Sequence, residues 1–386
     1  MVTTETVKGF RDFTGDEAQK REAIRRILVE TFEEYGFEPA ETPIIEYREF
    51  VKGNNQDDEA VSDVFKLKDR GERDLALRYE FTFQLKRLME GKKLPFKRYQ
   101  IGPVFRDEPI SGNRLRQFTQ CDVDIVGATI KDEAEILAIV KRVLTRLGIK
   151  FIININNRKL LNEILEKQNI EKMDWETVIR EVDKMDKSDE DEIYNNLRGY
   201  NAQSLLEIFK QPESFFEKYE NYKEIKELKD MCAAYGVEVK FLPNLARGLS
   251  YYNGSVFEVK SEIKETITAG GSFMFNEVQS TGISFGLERL SLLTKIETAR
   301  KKVIIISIGE NKKSIEVAEK LRDKEISCSL FYGKISKALE YANVKNIDFA
   351  IFLGSEEAKK EVLKIKDLKS GEEEFLKLNE LLEKLG

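Results

Sequence analysis

Residues 105–124 read FRDEPISGNRLRQFTQCDVD and put a turn between two segments of alternating polar and apolar residues. The alternation covers Lys97 to Glu108 before the turn and Leu115 to Ile125 after it. A period of two predicts β-strands with one buried face, and the proline, glycine and asparagine between them predict a loop that reverses the chain. The hairpin then has one polar face, made of Arg98, Gln100, Arg106, Glu108, Arg116, Gln120, Asp122 and Asp124.

The segment Leu75 to Thr82 alternates in the same way, which predicts a third strand whose odd-numbered residues are buried. The polar faces of all three segments carry arginine, glutamine and carboxylates, whereas the solvent face of a sheet is usually rich in lysine and threonine. This composition favours a platform for a ligand that has both anionic and cationic groups. A sheet with one face open to water is the alternative.

Helical periodicity over residues 16–35 predicts a long amphipathic helix that Gly36 ends in a left-handed cap. Pro39 and Pro43 follow, so a strand there belongs at a sheet edge or an interface. Residues 155–240 are mostly helical by pattern and strongly charged, which predicts a helical insertion. From Lys301 onward strands and helices alternate, which predicts a separate α/β domain of about 85 residues.

Composition limits the chemistry that the chain can perform. Its 386 residues are 41% hydrophobic and 35% charged, as in a soluble protein of two or three domains. It contains no histidine, which excludes Ser-His-Asp and Cys-His catalysis and histidine-ligated zinc. Three widely spaced cysteines predict reduced thiols. Charged residues alternate with apolar ones over Met1 to Asp12, unlike in a secretory leader, so we expect a cytoplasmic location.

Charge is unevenly distributed along the chain. The net charge is −6, yet residues 91–116 hold seven basic and two acidic side chains, a local net of +5. A solvated hairpin and a contact with nucleic acid are both consistent with this charge.

Four stretches together resemble the class II aminoacyl-tRNA synthetases. The sequence YGFEPAETP (35–43) resembles motif 1 of that class, the hairpin at 105–124 resembles motif 2, and GISFGLERL (282–290) resembles motif 3. The sequence LARGLSYYNGSVFE (245–258) is similar to the histidine-specific element of histidyl-tRNA synthetases. The chain therefore resembles that family, in its archaeal and eukaryotic type.

The resemblance implies a fold and a domain order. An α+β catalytic domain of the class II type, with an antiparallel sheet flanked by helices, is expected over residues 1–155 and 241–298. A helical insertion at 156–240 would interrupt it, and a C-terminal α/β anticodon-binding domain would occupy residues 299–386.

The resemblance also implies a reaction. Histidine is activated with ATP to histidyl-adenylate and is then transferred to the 3′ end of tRNA(His), with Mg²⁺ on the ATP phosphates and with the protein acting as a homodimer. Activation brings the amino-acid carboxylate against the α-phosphate, so two anions must be held together. Arginine suits this task because it is always charged and binds phosphate oxygens in pairs. No side-chain base is required, in keeping with a chain that lacks histidine.

By resemblance, Arg106 and Arg247 are the expected catalytic residues. Arg247 would lie beside the reacting carboxylate, where other class II enzymes hold a metal ion, so no protein-bound metal is expected. Taken alone, Arg289 could be a surface residue and Tyr251 could be a core aromatic. The expected ATP-binding residues are Arg106, Glu108, Arg114, Phe118 and Arg289. The expected histidine-binding residues are Glu80, Thr82, Gln120, Asp124, Arg247, Tyr251 and Tyr252.

Two departures from the family pattern keep other functions open. Ser250 stands where the family usually has Asp, and GGSFM (270–274) stands where it has GGRYD. One alternative is a noncatalytic histidine-sensing paralogue, such as an ATP phosphoribosyltransferase regulatory subunit, and another is a tRNA-binding sensor. Such regulators generally lack the anticodon domain and tend to lose the arginine at position 247, so this chain, which has both, favours the enzyme.

Overall fold

The computed structural model describes residues 3–53, 63–110, 114–185, 188–246, 251–263, 265–296 and 301–385. The chain divides into two compact units, residues 1–296 and 297–386. Cys121 and Cys232 are free and buried and Cys328 is free and half-buried, as predicted for thiols. None of the helices in these ranges combines the length and apolarity that crossing a membrane requires.

The helices of the first unit are α1 (Gly15–Glu34), α2 (Arg48–Lys52), α3 (Leu85–Leu88), α4 (Ile130–Arg146), α5 (Arg158–Lys167), α6 (Trp175–Val182), α7 (Glu190–Arg198), α8 (Ser204–Phe209), α9 (Tyr222–Ala234) and α10 (Leu287–Leu293). Its strands are β1 (Glu38–Pro39), β2 (Ile45–Tyr47), β3 (Lys66–Lys68), β4 (Asp74–Leu77), β5 (Phe96–Phe105), β6 (Gln117–Val126), β7 (Ile152–Asn157), β8 (Lys240–Phe241), β9 (Tyr252–Lys260), β10 (Thr268–Phe275) and β11 (Val278–Gly286).

A large sheet organises the first unit. Its eight described strands run in the order β1-β5-β6-β11-β10-β9-β7-β8. All pairs are antiparallel except β1 with β5 and β7 with β8 at the two edges. The predicted hairpin forms, since β5 and β6 pair over ten positions from Phe96↔Val126 to Phe105↔Gln117. β1, with its proline, lies at the sheet edge as predicted.

One face of this sheet packs on helices. Cys121, Val123 and Ile125 of β6 are fully buried in a core that also includes residues of α1 and α4. Completely burying an aliphatic side chain contributes about 1.5–3 kcal/mol, so this layer fixes which face of β6 points toward the helices. α1 ends as predicted, because Gly36 adopts a φ of 77° that favours glycine. The other face, with the even-numbered residues of β6, is left for polar side chains.

The segment Leu75 to Thr82 is not the strand that its alternation predicts. β4 ends at Leu77 and belongs to a separate small sheet of order β2-β4-β3, and the even-numbered Ala76 is fully buried. Beyond β4, Phe105 N donates to Arg78 O (3.0 Å), so the chain leaves the small sheet and joins the end of β5. The first residues of this segment pair in the small sheet and the later ones contact the large sheet. The alternation of buried and exposed residues therefore stops where the chain passes from one sheet to the other.

The predicted insertion starts on the large sheet. β7 pairs with β9 over six positions before the chain enters helices α5 to α9 and two short 3₁₀ helices, Lys172–Asp174 and Glu213–Lys218. An open cavity of about 1040 Å³ lies among these helices. Its walls mix lysines with glutamates and include none of the predicted site residues.

The second unit has the α/β architecture expected from its sequence. Its sheet runs β13-β12-β14-β15-β16, with β12 (Val303–Ser307), β13 (Cys328–Tyr332) and β14 (Phe349–Leu353) parallel and β15 (Leu363–Asp367) and β16 (Glu373–Leu376) antiparallel. The helices are α11 (Asn311–Arg322), α12 (Ile335–Val344), α13 (Ser355–Lys360) and α14 (Leu378–Leu385).

Candidate active site

A cavity of about 630 Å³ opens on the polar face of the large sheet. Strands β6, β10 and β11, helix α10 and the segment after β4 contribute to its walls. Arg247, predicted to be catalytic, lies outside the described residues. Every other predicted site residue lines this cavity: Glu80, Thr82, Arg106, Glu108, Arg114, Phe118, Gln120, Asp124, Tyr251, Tyr252 and Arg289.

A buried ion pair fixes one wall of the cavity. Strand register places Arg98 opposite Asp124. Arg98 Nη2 lies 2.7 Å from Asp124 Oδ2, with side chains 1% and 6% exposed, and also donates to Phe81 O (3.2 Å). Burial raises the pKa of Asp124, whereas the Arg98 charge lowers it. Burial is the larger effect, so the pKa of Asp124 stays raised, while Arg98 orients the carboxyl group and limits that rise.

Gly282 leaves room for the Asp124 carboxylate. The two residues are partners in the ladder between β11 and β6. A Cβ at position 282 would lie 2.3 Å from Asp124 Oδ1 and 2.9 Å from Val123 O. Nonbonded atoms do not approach so closely, so a side chain here would displace the carboxylate or the strand.

Two more polar side chains of β6 line the same region. Gln120 Nε2 donates to Ser284 Oγ of β11 (2.7 Å). Gln120 Oε1 is buried and accepts no hydrogen bond from the residues that the structure describes. Asp122 lies between Gln120 and Asp124 on this face, and burial together with the Asp124 charge raises the pKa of Asp122 to about 7. The region is rich in acceptors and suits ligand groups that donate.

A second part of the cavity carries arginines. The Arg106 guanidinium lies over the Phe118 ring, 5.1 Å from its centroid. Arg114 lies 3.6 Å from the Glu108 carboxylate and its side chain is 62% exposed. α10 carries Arg289 into the same cavity, so Arg289 is not the surface residue that its helical setting alone would allow. Guanidinium groups beside an aromatic face suit a nucleotide.

Glu288 holds the start of α10 against β6. It accepts from Arg21 Nη2 (2.9 Å), and both of its carboxylate oxygens accept from Thr119 N (3.1 Å each). The Arg21 guanidinium in turn lies 3.8 Å from the centroid of the Phe13 ring. Because Arg289 is the next residue, these contacts determine where its side chain enters the cavity.

Aromatic rings close another side of the cavity. Tyr251 and Tyr252 have ring centroids 4.8 Å apart, and Phe273 lies edge-on to Tyr251 at 5.6 Å. Burial, followed by the effect of Tyr252, raises the pKa of Tyr251. Tyr252 and Phe273 belong to a small apolar cluster and also line the cavity. Core packing and ligand contact are thus compatible at these positions.

Residues 272–274, which differ from the family pattern, affect the cavity mainly at one position. Ser272 Oγ donates to the Glu133 carboxylate of α4, on the helix side of the sheet. Burial raises the pKa of Glu133 despite this bond and one from Ser255. Met274 is 51% exposed, whereas Phe273 is 4% exposed and lines the cavity. The missing phenol is therefore the departure that faces the cavity.

The chain that leads to Arg247 is tied down from two sides. Asn156 of β7 donates through Nδ2 to Pro243 O and Leu245 O, both at 2.9 Å. Ala246 N donates to Asp183 Oδ1 (3.1 Å), directly after α6 of the insertion. The sheet and the insertion together fix residues 243–246, immediately before position 247.

The basic hairpin is less basic at the surface than its composition indicates. Arg98 is buried against Asp124, and Lys97 pairs with Glu135 of α4. The local net of +5 therefore overstates the exposed charge. Arg114 remains accessible near the hairpin loop.

Sequence reasoning does not identify Arg98, Asp122, Gly282, Ser284 or Glu288 as site residues. The alternation does assign Arg98 and Asp122 to a polar face, so a signal existed for these two. The positions of the other three depend on β11 and α10 lying beside β6, about 160 residues away in the chain. One sequence without an alignment does not contain that register.

Comparison with known proteins identifies the family. A family model for histidyl-tRNA synthetase matches residues 9–290, and one for an anticodon binding domain matches residues 302–386. The chain belongs to the histidyl-tRNA synthetase family. Histidine–tRNA ligase 1 of Bacillus anthracis is 34% identical over 97% of this chain and 98% of the relative. The histidine–tRNA ligase of Helicobacter pylori is 31% identical over 99% and 98%. These relatives are bacterial, so the expected archaeal and eukaryotic type is not supported.

Solved structures of the histidyl-tRNA synthetase family share the fold. The histidyl-tRNA synthetase of Nostoc sp. matches with a TM-score of 0.88 at 24% identity, over 100% of this chain and 99% of the other. A Bacillus halodurans protein described as an ATP phosphoribosyltransferase regulatory subunit/histidyl-tRNA synthetase matches at 0.77 and 21% identity, over 90% and 98%. The fold is thus that of a class II synthetase with an anticodon-binding domain.

Proposed function

We propose that the chain is a histidine–tRNA ligase, which activates histidine with ATP and transfers the histidyl group to the 3′ end of tRNA(His). The observation that carries the proposal is one cavity with two kinds of lining. Its acceptor-rich wall consists of Gln120, Asp122 and Asp124 with Glu80, and its arginine-rich part consists of Arg106, Arg114 and Arg289. Histidine offers an ammonium group and ring N–H groups to the first, and ATP offers phosphates to the second. Bacterial histidine–tRNA ligases that are similar over nearly the whole chain support the same activity.

In this proposal the arginine-rich part holds ATP. Arg106 binds the α-phosphate, Arg114 binds the γ-phosphate, and Arg289 contacts both adenine and the γ-phosphate. Phe118 stacks on adenine, whose amino group donates to Glu108. Mg²⁺ enters on the ATP phosphates as part of the substrate. A carboxylate oxygen of histidine attacks the α-phosphorus and the bond to pyrophosphate breaks, while the arginines stabilise the charge that develops.

The acceptor-rich wall holds histidine. Glu80, Thr82 and Gln120 bind the ammonium group, and Asp124 and Tyr252 bind the ring nitrogens. Gln120 Oε1 is buried and has no donor in the part of the chain that the structure describes, which supports this assignment, because such an acceptor costs free energy until a donor binds it.

Two residues complete the histidine site. Tyr251 packs on Tyr252 at the edge of the wall, and Arg247 lies beside the reacting carboxylate. The likeness of residues 245–258 to the histidine-specific element of the family supports the second role.

Histidine-dependent exchange of labelled pyrophosphate into ATP tests the proposal without tRNA. We expect exchange with histidine and with no other standard amino acid. A histidine-sensing regulator or a tRNA-binding sensor would bind ligand without exchange. Absence of exchange in a folded protein that binds histidine would favour the regulator instead.

Replacing Phe273 by tyrosine restores the phenol that faces the cavity, and we expect tighter histidine binding. A neutral hydrogen bond contributes about 0.5–1.5 kcal/mol, which corresponds to roughly 2- to 12-fold in affinity. Calorimetric titration of histidine into wild type and Phe273→Tyr measures this change in affinity. Phe275→Tyr, in the same strand, is the control. If wild type binds no histidine at millimolar concentration with ATP present, the histidine assignment is wrong.

We further propose that the second unit binds the anticodon region of tRNA while the motif 2 hairpin approaches the acceptor end. Two weak contacts on one ligand reinforce each other. Removing residues 301–386 should therefore preserve pyrophosphate exchange and reduce aminoacylation strongly. The second unit has hydrophobic cores of its own, so the deletion leaves the first core intact. Aminoacylation at the full-length rate would contradict the tRNA role.

A homodimer is also part of the proposal. Ile44, Ile45 and Tyr47 follow the motif 1 segment and are 41%, 49% and 51% exposed, which is unusual for neighbouring large apolar side chains. We expect sedimentation at about twice the 44.7 kDa chain mass and dissociation by Ile45→Glu. Ile152→Glu, at another exposed strand isoleucine, is the matched control. A monomer at micromolar concentration would contradict the dimer.

The domain division at residues 155, 240 and 298 and the cytoplasmic location remain predictions. The assignment of the middle segment as an insertion is supported by its position between β7 and β8 of the large sheet.

A further inference from the structure

Asp122 has no assigned role in histidine or ATP binding, yet it belongs to the acceptor-rich wall of the cavity. Its neighbours on the same strand face are Gln120 and Asp124, and its ladder partners are Gln100 of β5 and Ser284 of β11. It is 4% exposed. A carboxylate in such a position is costly to bury unless something compensates its charge.

Within the described residues, the charged and titratable groups around Asp122 that lie outside β6 come from three other elements. Arg98 of β5 is the buried cation, and it is paired with Asp124 of β6. Glu80, in the segment after β4, adds negative charge that acts on Asp122. Tyr251 and Tyr252 line the cavity from the start of β9. Arg98 is already paired with Asp124. Asp122 and Glu80 are therefore two further carboxylates for which β5 supplies no second cation.

The acceptors of this wall also outnumber its donors. Gln120 Nε2 donates to Ser284 Oγ (2.7 Å) and, at 3.4 Å, to Asp122 Oδ1, and Ser284 is also hydrogen-bonded to Asp122. The buried Gln120 Oε1 has no donor among the described residues. A neutral imidazole offers one donor and one acceptor, whereas an imidazolium offers two donors and a positive charge. The protonated ring matches both the hydrogen-bonding groups and the charge of the wall better.

We propose that Asp122 is a specificity-determining residue that makes the cavity bind histidine with its imidazole ring protonated. The inference rests on the proposed function, since it concerns the form of the amino acid that enters the site. The ammonium group of the ligand pairs with the Glu80 carboxylate. The protonated ring pairs with the carboxylates of Asp122 and Asp124 together. Cationic rings are thereby favoured over neutral isosteres such as triazolylalanine.

Proton linkage gives the expected pH dependence. Free imidazole has a pKa of about 6.5, so at pH 8 only about 3% of free histidine has a protonated ring. The pKa of Asp122 is raised to about 7, so at pH 8 its carboxyl is mostly charged and releases little proton on binding. Binding at pH 8 should therefore take up close to one proton, and affinity should fall about tenfold between pH 7 and pH 8.5.

The absence of histidine from the chain makes a direct test possible, because every imidazole signal comes from the ligand. Histidine labelled with ¹⁵N in the ring is bound to the full-length protein at pH 8 and studied by solid-state NMR. We expect both ring nitrogens to be protonated in wild type and one to be unprotonated in Asp122→Asn. Calorimetric titration in two buffers of different ionisation heat should give about one proton taken up in wild type and near zero in the variant.

A neutral ring in wild type at pH 8 would overturn the proposal. So would a protonated ring in Asp122→Asn, because the second carboxylate would then be irrelevant. The wild-type measurement needs no substitution and stands even if the variant fails to fold. Neither outcome touches the proposed function, which fails separately if histidine supports no pyrophosphate exchange.

Discussion

Gly282→Ala should weaken histidine binding by about 10- to 100-fold. The new methyl group would lie 2.3 Å from Asp124 Oδ1, so the carboxylate that pairs with Arg98 must move. A hydrogen bond to a charged group contributes about 1.5–3 kcal/mol, which sets this range. Calorimetric titration with histidine measures the loss, and titration with ATP measures whether the arginine-rich part remains intact.

The control for this variant is Gly199→Ala in the insertion. A Cβ at position 199 would meet a backbone oxygen at 3.8 Å, an ordinary contact, and Gly199 is not among the residues that line the cavity. Both variants should unfold cooperatively. Unchanged histidine affinity in folded Gly282→Ala would mean that Asp124 does not bind the ring.

Arg247→Ala should lower histidine-dependent pyrophosphate exchange by about 10²-fold or more. Removing one preorganised group that stabilises transition-state charge typically costs this much in rate. The affinity for histidine should change less than the rate, because the negative charge that Arg247 stabilises develops only during the reaction. Steady-state kinetics of exchange separate the two effects.

Arg247→Lys serves as the matched variant. Lysine keeps the charge but loses the planar pair of donors, so an intermediate rate would indicate that geometry contributes alongside charge. An exchange rate in Arg247→Ala equal to that of wild type would remove Arg247 from the catalytic residues.

The fold was predictable where one layer determined the pattern. β5 and β6 pack one face on helices and leave the other polar, so their alternation in the sequence is strict and the predicted hairpin is confirmed. The segment after Asp74 passes from the small sheet to the end of β5 within a few residues. Contacts there change from one residue to the next, and a prediction based on a fixed period fails.

The candidate site was predictable in its members but not in its support. The resemblance supplied residues from Glu80 to Arg289, and those that the structure describes share one cavity. It did not supply Arg98, which orients Asp124, or Gly282, which leaves space for it. Their roles come from strand register, and register between distant segments depends on the whole core and not on local spacing.

The hydrogen bond from Ala246 N to Asp183 has a consequence for protein engineering. A minimal version of this protein would be designed by replacing helices α5 to α9 with a shorter crossover, since β7 and β8 run parallel and a tight loop cannot join them. Such a replacement removes the acceptor of Ala246 N. Residues 243–246 then keep the hydrogen bonds from Asn156, the bond from Leu245 N to Leu242 O and the apolar packing of Leu245. A working miniature must therefore retain the end of α6 or supply a carboxylate at the same point in space.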